Sequence, residues 1–190
     1  MSESQMRSFV SIDIEDPAIL SAVTGVTSSL IQLGGDLKPV ERENIHVTLK
    51  FLGNVSQPKL DQVKTSLRGV SFRPFTMEIK GAGAFPRASR MNVLWVGIGE
   101  GWSEVQKIYE QTERIFFELG FARENRNFTP HITIARVKSA RNMRNMAEFL
   151  ERLSEKNFGT FTVDSVQLKR SILSRSGPTY STLLEVKAEE

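Results

Sequence analysis

The chain has 190 residues, of which 39% are hydrophobic and 25% are charged, and it contains no cysteine. This make-up is typical of a soluble globular protein with one sizeable core, and the lack of cysteine excludes disulfide bonds and thiolate metal sites. The formal net charge of +3 is too small to require a nucleic-acid partner by itself. No apolar run approaches a signal peptide or the roughly 20 residues that span a bilayer, so we expect a cytoplasmic protein that does not insert into membranes.

Apolar residues in the first half of the chain recur with strand and helix spacing in turn. Residues 7–14 alternate as a strand, and Asp16 with Pro17 then provides the N-cap and the first position of a helix. Gly34 follows the last apolar residue of that helix and predicts its end. The other predicted elements of this half are a strand at residues 46–52, a helix whose start is marked by Ser56 and Pro58, and a strand at residues 72–80 closed by a turn at residues 81–83.

The second half repeats this order. Its predicted elements are a strand at residues 92–98, a helix at residues 102–119 that ends at Gly120, a strand at residues 131–137, a helix capped by Ser139, and strands at residues 161–173 and 180–187. Strand, helix, strand, helix and strand therefore occur twice, which indicates a duplicated unit. We predict a single bilobal α+β domain over residues 1–190, with pseudo-two-fold symmetry and two mostly antiparallel sheets flanked by helices around a central groove.

Both histidines of the chain occur in the same local pattern, a histidine and a threonine two positions apart in an apolar strand: His46 with Thr48, and His131 with Thr133. Because successive strand side chains point to opposite faces, the polar members can face the groove while their apolar neighbours anchor each strand. Two imidazoles can act as base and acid near neutral pH, and two hydroxyls can hold the oxygens of an anion. The pattern therefore favours displacement at a phosphoryl group, with opposed proton transfers on its two sides.

Other interpretations of the motifs remain open. A lone strand histidine is more often structural than catalytic, and threonine is ordinary in strands, but the matched pair favours function. A metal-dependent phosphohydrolase is disfavoured because two histidines without an acidic neighbour fall short of the usual three protein ligands, so we expect no metal and no other cofactor. A non-catalytic RNA-end or nucleotide-binding module is the alternative function, and turnover would separate it from an enzyme.

The segments HVTLKFLG and FTPHITIAR resemble the paired HxTx motifs of the two-histidine phosphoesterase superfamily, and in particular its 2′-5′ RNA ligase family of RNA 2′,3′-cyclic phosphodiesterases. The resemblance extends from RSFVSIDI through GAFP to RSILSRSGPTYSTLLEV. It implies metal-independent hydrolysis of cyclic phosphate RNA ends to 2′-phosphates, together with ATP-independent 2′-5′ RNA ligation. By this resemblance His46 and His131 are catalytic, and Thr48 and Thr133 bind phosphate. We expect RNA ends or small cyclic nucleotides as substrates of a monomer.

Four further residues are weaker candidates for substrate binding. Lys50 shares the face of His46 by parity and is predicted to neutralise phosphate charge, although an exposed strand lysine is an equal alternative. Strict alternation places Arg136 opposite His131, so only a bulge or a strand end would turn it toward the phosphate. Two aromatic residues are candidates for stacking on a base or ribose, with core packing as the competing role: Phe85 and Tyr180.

Overall fold

The structure is a computed structural model that describes residues 5–125, 127–175 and 177–189. The helices are α1 (Pro17–Gln32), α2 (Gln57–Leu67), α3 (Trp102–Glu118) and α4 (Met143–Arg152). The strands are β1 (Gln5–Asp13), β2 (Leu37–Pro39), β3 (His46–Ser56), β4 (Phe75–Arg87), β5 (Arg90–Ile98), β6 (His131–Val137), β7 (Asn157–Val163), β8 (Ser165–Leu173) and β9 (Pro178–Lys187). None of the helices in the described part of the chain combines the length and apolar content that a membrane crossing needs.

The strands pair in the antiparallel order β7-β4-β5-β6-β3-β1-β8-β9, and β2 also pairs with β6. The two motif strands, β3 and β6, meet at the centre of this order through the pair of Val47 with Ile132. The two predicted sheets are therefore two halves of one sheet that are joined at a narrow junction. The predicted α+β class and the antiparallel pairing are confirmed.

The two halves of the sheet, β7-β4-β5-β6 and β3-β1-β8-β9, form two lobes. These lobes do not correspond to the two halves of the sequence. β4 follows the first motif but pairs with β5 in the lobe of the second motif, and β8 follows the second motif but pairs with β1 in the lobe of the first. The helices cross in the same way, because α1 contacts β6 and β7 while α3 contacts β3. Each lobe is thus completed by segments from the other repeat, which ties the lobes together.

Helix α1 illustrates how the sequence specifies these elements. Asp16 accepts hydrogen bonds from the backbone N–H groups of Ala18 and Ile19, each at 2.9 Å, which confirms the predicted N-cap. The apolar stripe of the helix is buried against the second lobe, and it includes Ile19, Val23, Val26 and Leu30. The core therefore lies between the helices and the apolar side chains of the motif strands.

The predicted turn at residues 81–83 is wrong, because β4 continues through it to Arg87. Gly81 has a φ of 77°, and the register of β4 with β5 shifts between Ile79 and Ala82, so the glycine forms a bulge inside a long strand. At Gly83 the missing side chain makes room for an aromatic ring, since a Cβ atom there would overlap the ring of Trp95.

Two other predicted boundaries are wrong. Residues 161–173 form two strands rather than one, because Asp164 separates β7, which pairs with β4, from β8, which pairs with β1 and β9. The N-cap position of helix α4 is Asn142 rather than Ser139, and the Asn142 side chain makes no capping hydrogen bond to the helix. Asn142 adopts a φ of 52°, a conformation that asparagine tolerates, and its side-chain amide donates to the carbonyl of Gly34 at 3.1 Å. Both boundaries depend on tertiary contacts.

Candidate active site

The polar members of the two motifs line one groove at the junction of β3 and β6, with a cavity volume of about 370 Å³. Val47 and Ile132 are fully buried beneath it. The antiparallel register through this pair sets each histidine across from the threonine of the other motif. The two histidines therefore occupy diagonal corners of the site, and the two threonines occupy the other corners: His46, Thr133, His131 and Thr48.

A backbone carbonyl orients each imidazole in the same way. Nδ1 of His46 lies 2.7 Å from the carbonyl oxygen of Asn44, and Nδ1 of His131 lies 2.7 Å from that of Thr129. Because a carbonyl oxygen can only accept, each Nδ1 carries a proton and donates it. Nε2 is then the basic nitrogen of each neutral ring. On His46 this nitrogen lies 2.9 Å from the hydroxyl of Thr48, which donates to it.

Aromatic rings pack against both histidines. The ring of Tyr180 lies 5.5 Å from His46 in an edge-on arrangement, and the ring of Phe9 lies 5.0 Å from it. On the other side, the half-buried ring of Phe85 lies 4.9 Å from His131. Both predicted aromatic candidates are thus brought to a motif histidine, where Tyr180 lines the groove and Phe85 supports an imidazole.

Burial changes the acid–base chemistry on the first side of the groove. It lowers the pKa of the His46 imidazole below its ordinary value, and the hydrogen bond to Asn44 and the charge of Asp13 oppose this only in part. Burial also raises the pKa of the Tyr180 hydroxyl, against the opposing charges of Arg136 and Arg7. Burial therefore favours the neutral imidazole of His46. The charges of both arginines reach the Tyr180 hydroxyl beside it.

Each motif strand contains a β-bulge three residues after its histidine. The pairing of β3 with β1 skips Leu49, and the pairing of β6 with β5 skips Ile134. An extra residue reverses the alternation of the side chains that follow it. The side chains five positions after the histidines, Phe51 and Arg136, consequently line the groove. The predicted requirement that a bulge turn Arg136 toward the site is met.

The bulge at Leu49 turns Lys50 away from the groove, so its predicted place beside the phosphate is wrong. Its side chain is 8% exposed, and its Nζ lies 2.5 Å from Oε1 of Glu113 and donates to the carbonyl of Ala122 at 2.7 Å. Oε2 of Glu113 accepts from the backbone N–H of Glu124 at 3.2 Å. This buried pair fastens the segment that leads into the second motif to the strand of the first motif.

Reasoning from the sequence missed several groove residues: Arg7, Phe9, Lys38, Phe51 and Leu173. Phe51 is 67% exposed and lines the groove together with Leu173, which is 64% exposed, so the groove offers an apolar surface to a ligand. Aligning the two motifs would have found Phe51, because it stands where Arg136 stands in the second motif. In the described part of the chain, no three histidine, cysteine, aspartate or glutamate side chains are grouped to hold a metal ion.

The duplicated α+β fold and the paired motifs in its groove define the class of two-histidine phosphoesterases. The model of the 2′-5′ RNA ligase superfamily matches residues 23–172, and the chain belongs to this superfamily. The RNA 2′,3′-cyclic phosphodiesterase of Aeropyrum pernix is 43% identical over 160 residues, which cover 84% of this chain and 91% of that protein.

Other relatives agree with this assignment. The RNA 2′,3′-cyclic phosphodiesterase of Archaeoglobus fulgidus is 36% identical over 181 residues, which cover 94% of this chain and 98% of that protein. The crystal structure of E. coli LigT in its apo form superposes with a TM-score of 0.78 at 23% identity and covers 100% of both chains. The likeness to LigT supports the fold described above.

Replacement of Lys50 tests the buried pair. We expect Lys50→Met to lower the free energy of unfolding by about 3–5 kcal/mol, because the carboxylate of Glu113 would stay buried without its partner. Lys64→Met is the matched control, since its pair with Asp61 is open to solvent, with side chains 32% and 61% exposed, and is worth less than about 1 kcal/mol. Urea unfolding measures both variants. Equal losses of unfolding free energy in the two variants would contradict a stabilising role for the buried pair.

The pKa of His46 predicts a pH dependence of stability. We expect this imidazole to titrate below the ordinary histidine pKa of about 6.5, because burial disfavours its charged form. The unfolded chain then binds a proton at this histidine more readily than the folded protein does. The resulting contribution to stability is fully present above the ordinary pKa and is lost as pH falls through the folded-state pKa.

Two measurements check this expectation. NMR titration of the two histidine rings, assigned with a His131→Gln variant, gives the pKa of His46 directly. Urea unfolding from about pH 5 to pH 8 should show less pH dependence in His46→Gln than in the parent protein. A pKa for His46 at or above the ordinary value would contradict the structural argument.

Proposed function

We propose that this protein hydrolyses RNA 2′,3′-cyclic phosphate ends to 2′-phosphate ends by metal-independent acid–base catalysis, with His46 and His131 as the catalytic pair. The observation that carries the proposal is the matched orientation of the two imidazoles, each of which donates from Nδ1 to a carbonyl and keeps Nε2 for proton transfer. The names of the relatives that are 43% and 36% identical support the same activity.

In this reaction the oxygen of a water molecule bonds to phosphorus while the bond from phosphorus to the ribose 3′ oxygen breaks. One histidine takes the proton of the water, and the other, protonated, gives a proton to the departing 3′ oxygen. The diagonal arrangement of the histidines suits these opposed transfers. When the phosphate enters, the hydroxyl of Thr48 turns from Nε2 of His46 to a phosphoryl oxygen, and the hydroxyl of Thr133 donates to another. The phosphate stays on the 2′ oxygen.

Ligation follows from the same steps. When the 5′ hydroxyl of a second RNA replaces water, the same proton transfers join it to phosphorus and release the 3′ oxygen, which gives a 2′-5′ linkage without ATP. In the reverse direction the two histidines exchange their roles as acid and base. We therefore include reversible 2′-5′ ligation in the proposed activity.

The other side chains of the groove suit a nucleotide. Phe51 and Tyr180 offer rings on which a base or ribose can stack, and Arg136 and Arg7 offer charges to phosphate oxygens. The half-buried Phe85 has a supporting role beside His131. This combination of rings and guanidinium groups supports an RNA end over a bare phosphorylated metabolite.

A non-catalytic module that binds RNA ends is the alternative. It would use the same groove, but it would not need both imidazoles with the same fixed Nδ1 proton, and turnover separates the two functions. We further propose that the chain works as one bilobal unit and as a monomer, since both motifs of the site lie within one chain. We also propose a cytoplasmic location, with which the lack of cysteine agrees.

The central test is a turnover assay on RNA that ends in a 2′,3′-cyclic phosphate, with EDTA present. We expect turnover to continue in EDTA, because the proposed proton transfers need only the two histidines. The product should be a 2′-phosphate end, because the bond to the 3′ oxygen is the one that breaks. Chromatography against synthetic 2′-phosphate and 3′-phosphate RNA identifies the product. Complete inhibition by EDTA that a divalent ion reverses, or formation of the 3′-phosphate, would contradict this mechanism.

Substitutions at the four motif residues test the assigned roles. We expect His46→Ala and His131→Ala each to lower kcat/KM by several orders of magnitude, because each general acid or base term is worth roughly 10²–10⁴-fold. The double variant should be little worse than the weaker single variant, since the pair acts as a unit. Loss of either threonine hydroxyl to alanine should cost about 1.5–3 kcal/mol of transition-state stabilisation.

Serine replacements provide the matched control, because Thr48→Ser and Thr133→Ser keep the hydroxyl and should retain most activity. Thermal unfolding of every variant separates lost chemistry from a lost fold. Near parental turnover by either folded histidine variant would leave the motifs with only a structural or binding role.

A further inference from the structure

Two pairs of like-charged residues lie directly across from each other in neighbouring strands. Arg87 of β4 pairs with Arg90 of β5 at the tip of their hairpin, and Lys38 of β2 pairs with Arg136 of β6. All four residues are exposed, and within the described ranges none of them forms an ion pair. Like charges directly opposite destabilise a sheet, so folding alone gives no reason for this arrangement.

These four residues form a path that starts in the active-site groove, and we call it the basic strip. Lys38 and Arg136 line the groove itself. Arg136 pairs with Val93 of β5. Arg90, the first residue of β5, lies three residues before Val93 and about 10 Å from it at roughly 3.3 Å per residue. On β4, Arg87 follows two residues after Phe85, whose ring contacts His131. The hairpin tip therefore lies beside the site.

We propose that the basic strip binds the phosphate backbone of the RNA strand whose cyclic end occupies the groove, so that the preferred substrate is an oligonucleotide rather than a mononucleotide. This inference rests on the proposed function for the identity of the end group. A polyanion offsets the repulsion within each like-charged pair, and the cations release condensed counterions when they bind phosphates. Single-stranded RNA fits because a basic track combined with stacking rings is its usual binding surface.

The decisive variant is the double substitution Arg87→Gln and Arg90→Gln, which alters the hairpin tip and leaves the groove intact. Its matched control, Lys107→Gln with Arg114→Gln, removes the same charge from exposed positions on α3. Kinetics are compared on two substrates, 2′,3′-cyclic AMP and a single-stranded RNA decamer that ends in a 2′,3′-cyclic phosphate. We expect the hairpin variant to raise KM several-fold on the decamer only, with kcat unchanged, and the control to match the parent on both substrates.

Salt dependence gives a second readout that does not need turnover. Fluorescence anisotropy with a labelled decamer that ends in a 2′-phosphate measures Kd across a range of salt concentrations. Each lost phosphate contact should reduce the slope of log Kd against log salt concentration by about 0.7 for a single strand. The hairpin variant should also unfold at a temperature no lower than the parent, because it removes a repulsive cross-strand pair.

The outcomes separate this inference from the proposed function. If the parent enzyme hydrolyses both substrates and the folded hairpin variant has the parental KM and salt slope on the decamer, the basic strip is not an RNA path. If the parent hydrolyses neither substrate but its decamer binding still depends on Arg87 and Arg90, the strip is supported and the catalytic proposal fails. Equal weakening in the α3 control would overturn a localised strip in favour of general charge attraction.

Discussion

The pairing of Val47 with Ile132 is the contact on which the site depends. Both side chains are fully buried, and a shift of one residue in either strand would bury its histidine and threonine instead. Hydrophobic burial therefore fixes the register between the motifs, and the register fixes the diagonal arrangement of the two imidazoles. The polar chemistry of the groove is thus positioned by the apolar residues that alternate with it.

One paired position cannot by itself hold two lobes in place, and the rest of the chain supplies this rigidity. β4 and β8 each complete the lobe of the other repeat, and α1 and α3 cross in the same manner. The buried pair of Lys50 with Glu113 adds a connection from the first motif strand to the segment before the second motif. Movement between the motifs would therefore disturb strand pairing, helix packing and a buried charge together.

The sequence predicts those features that follow from local periodicity. The helices, the motif strands and the inward face of His46 and His131 follow from spacing alone, and the duplication predicts that the motifs meet. Parity fails beyond the bulges at Leu49 and Ile134, because a bulge is set by pairing with a neighbouring strand rather than by local composition. For this reason parity predicts the wrong face for Lys50. The crossed lobes depend on long-range strand pairing, which local sequence patterns do not indicate.

The two bulges also make an otherwise symmetric site asymmetric, which suits the RNA end of the proposed function. They bring equivalent positions of the two repeats into the groove, but one repeat has Phe51 there and the other has Arg136. An RNA end has a base on one side and a chain of phosphates on the other, so an aromatic ring and a guanidinium group distinguish its two directions. In the proposed reaction the paired histidines supply chemistry that runs either way. We therefore expect the positions where the repeats differ to determine which side receives the base and which receives the backbone.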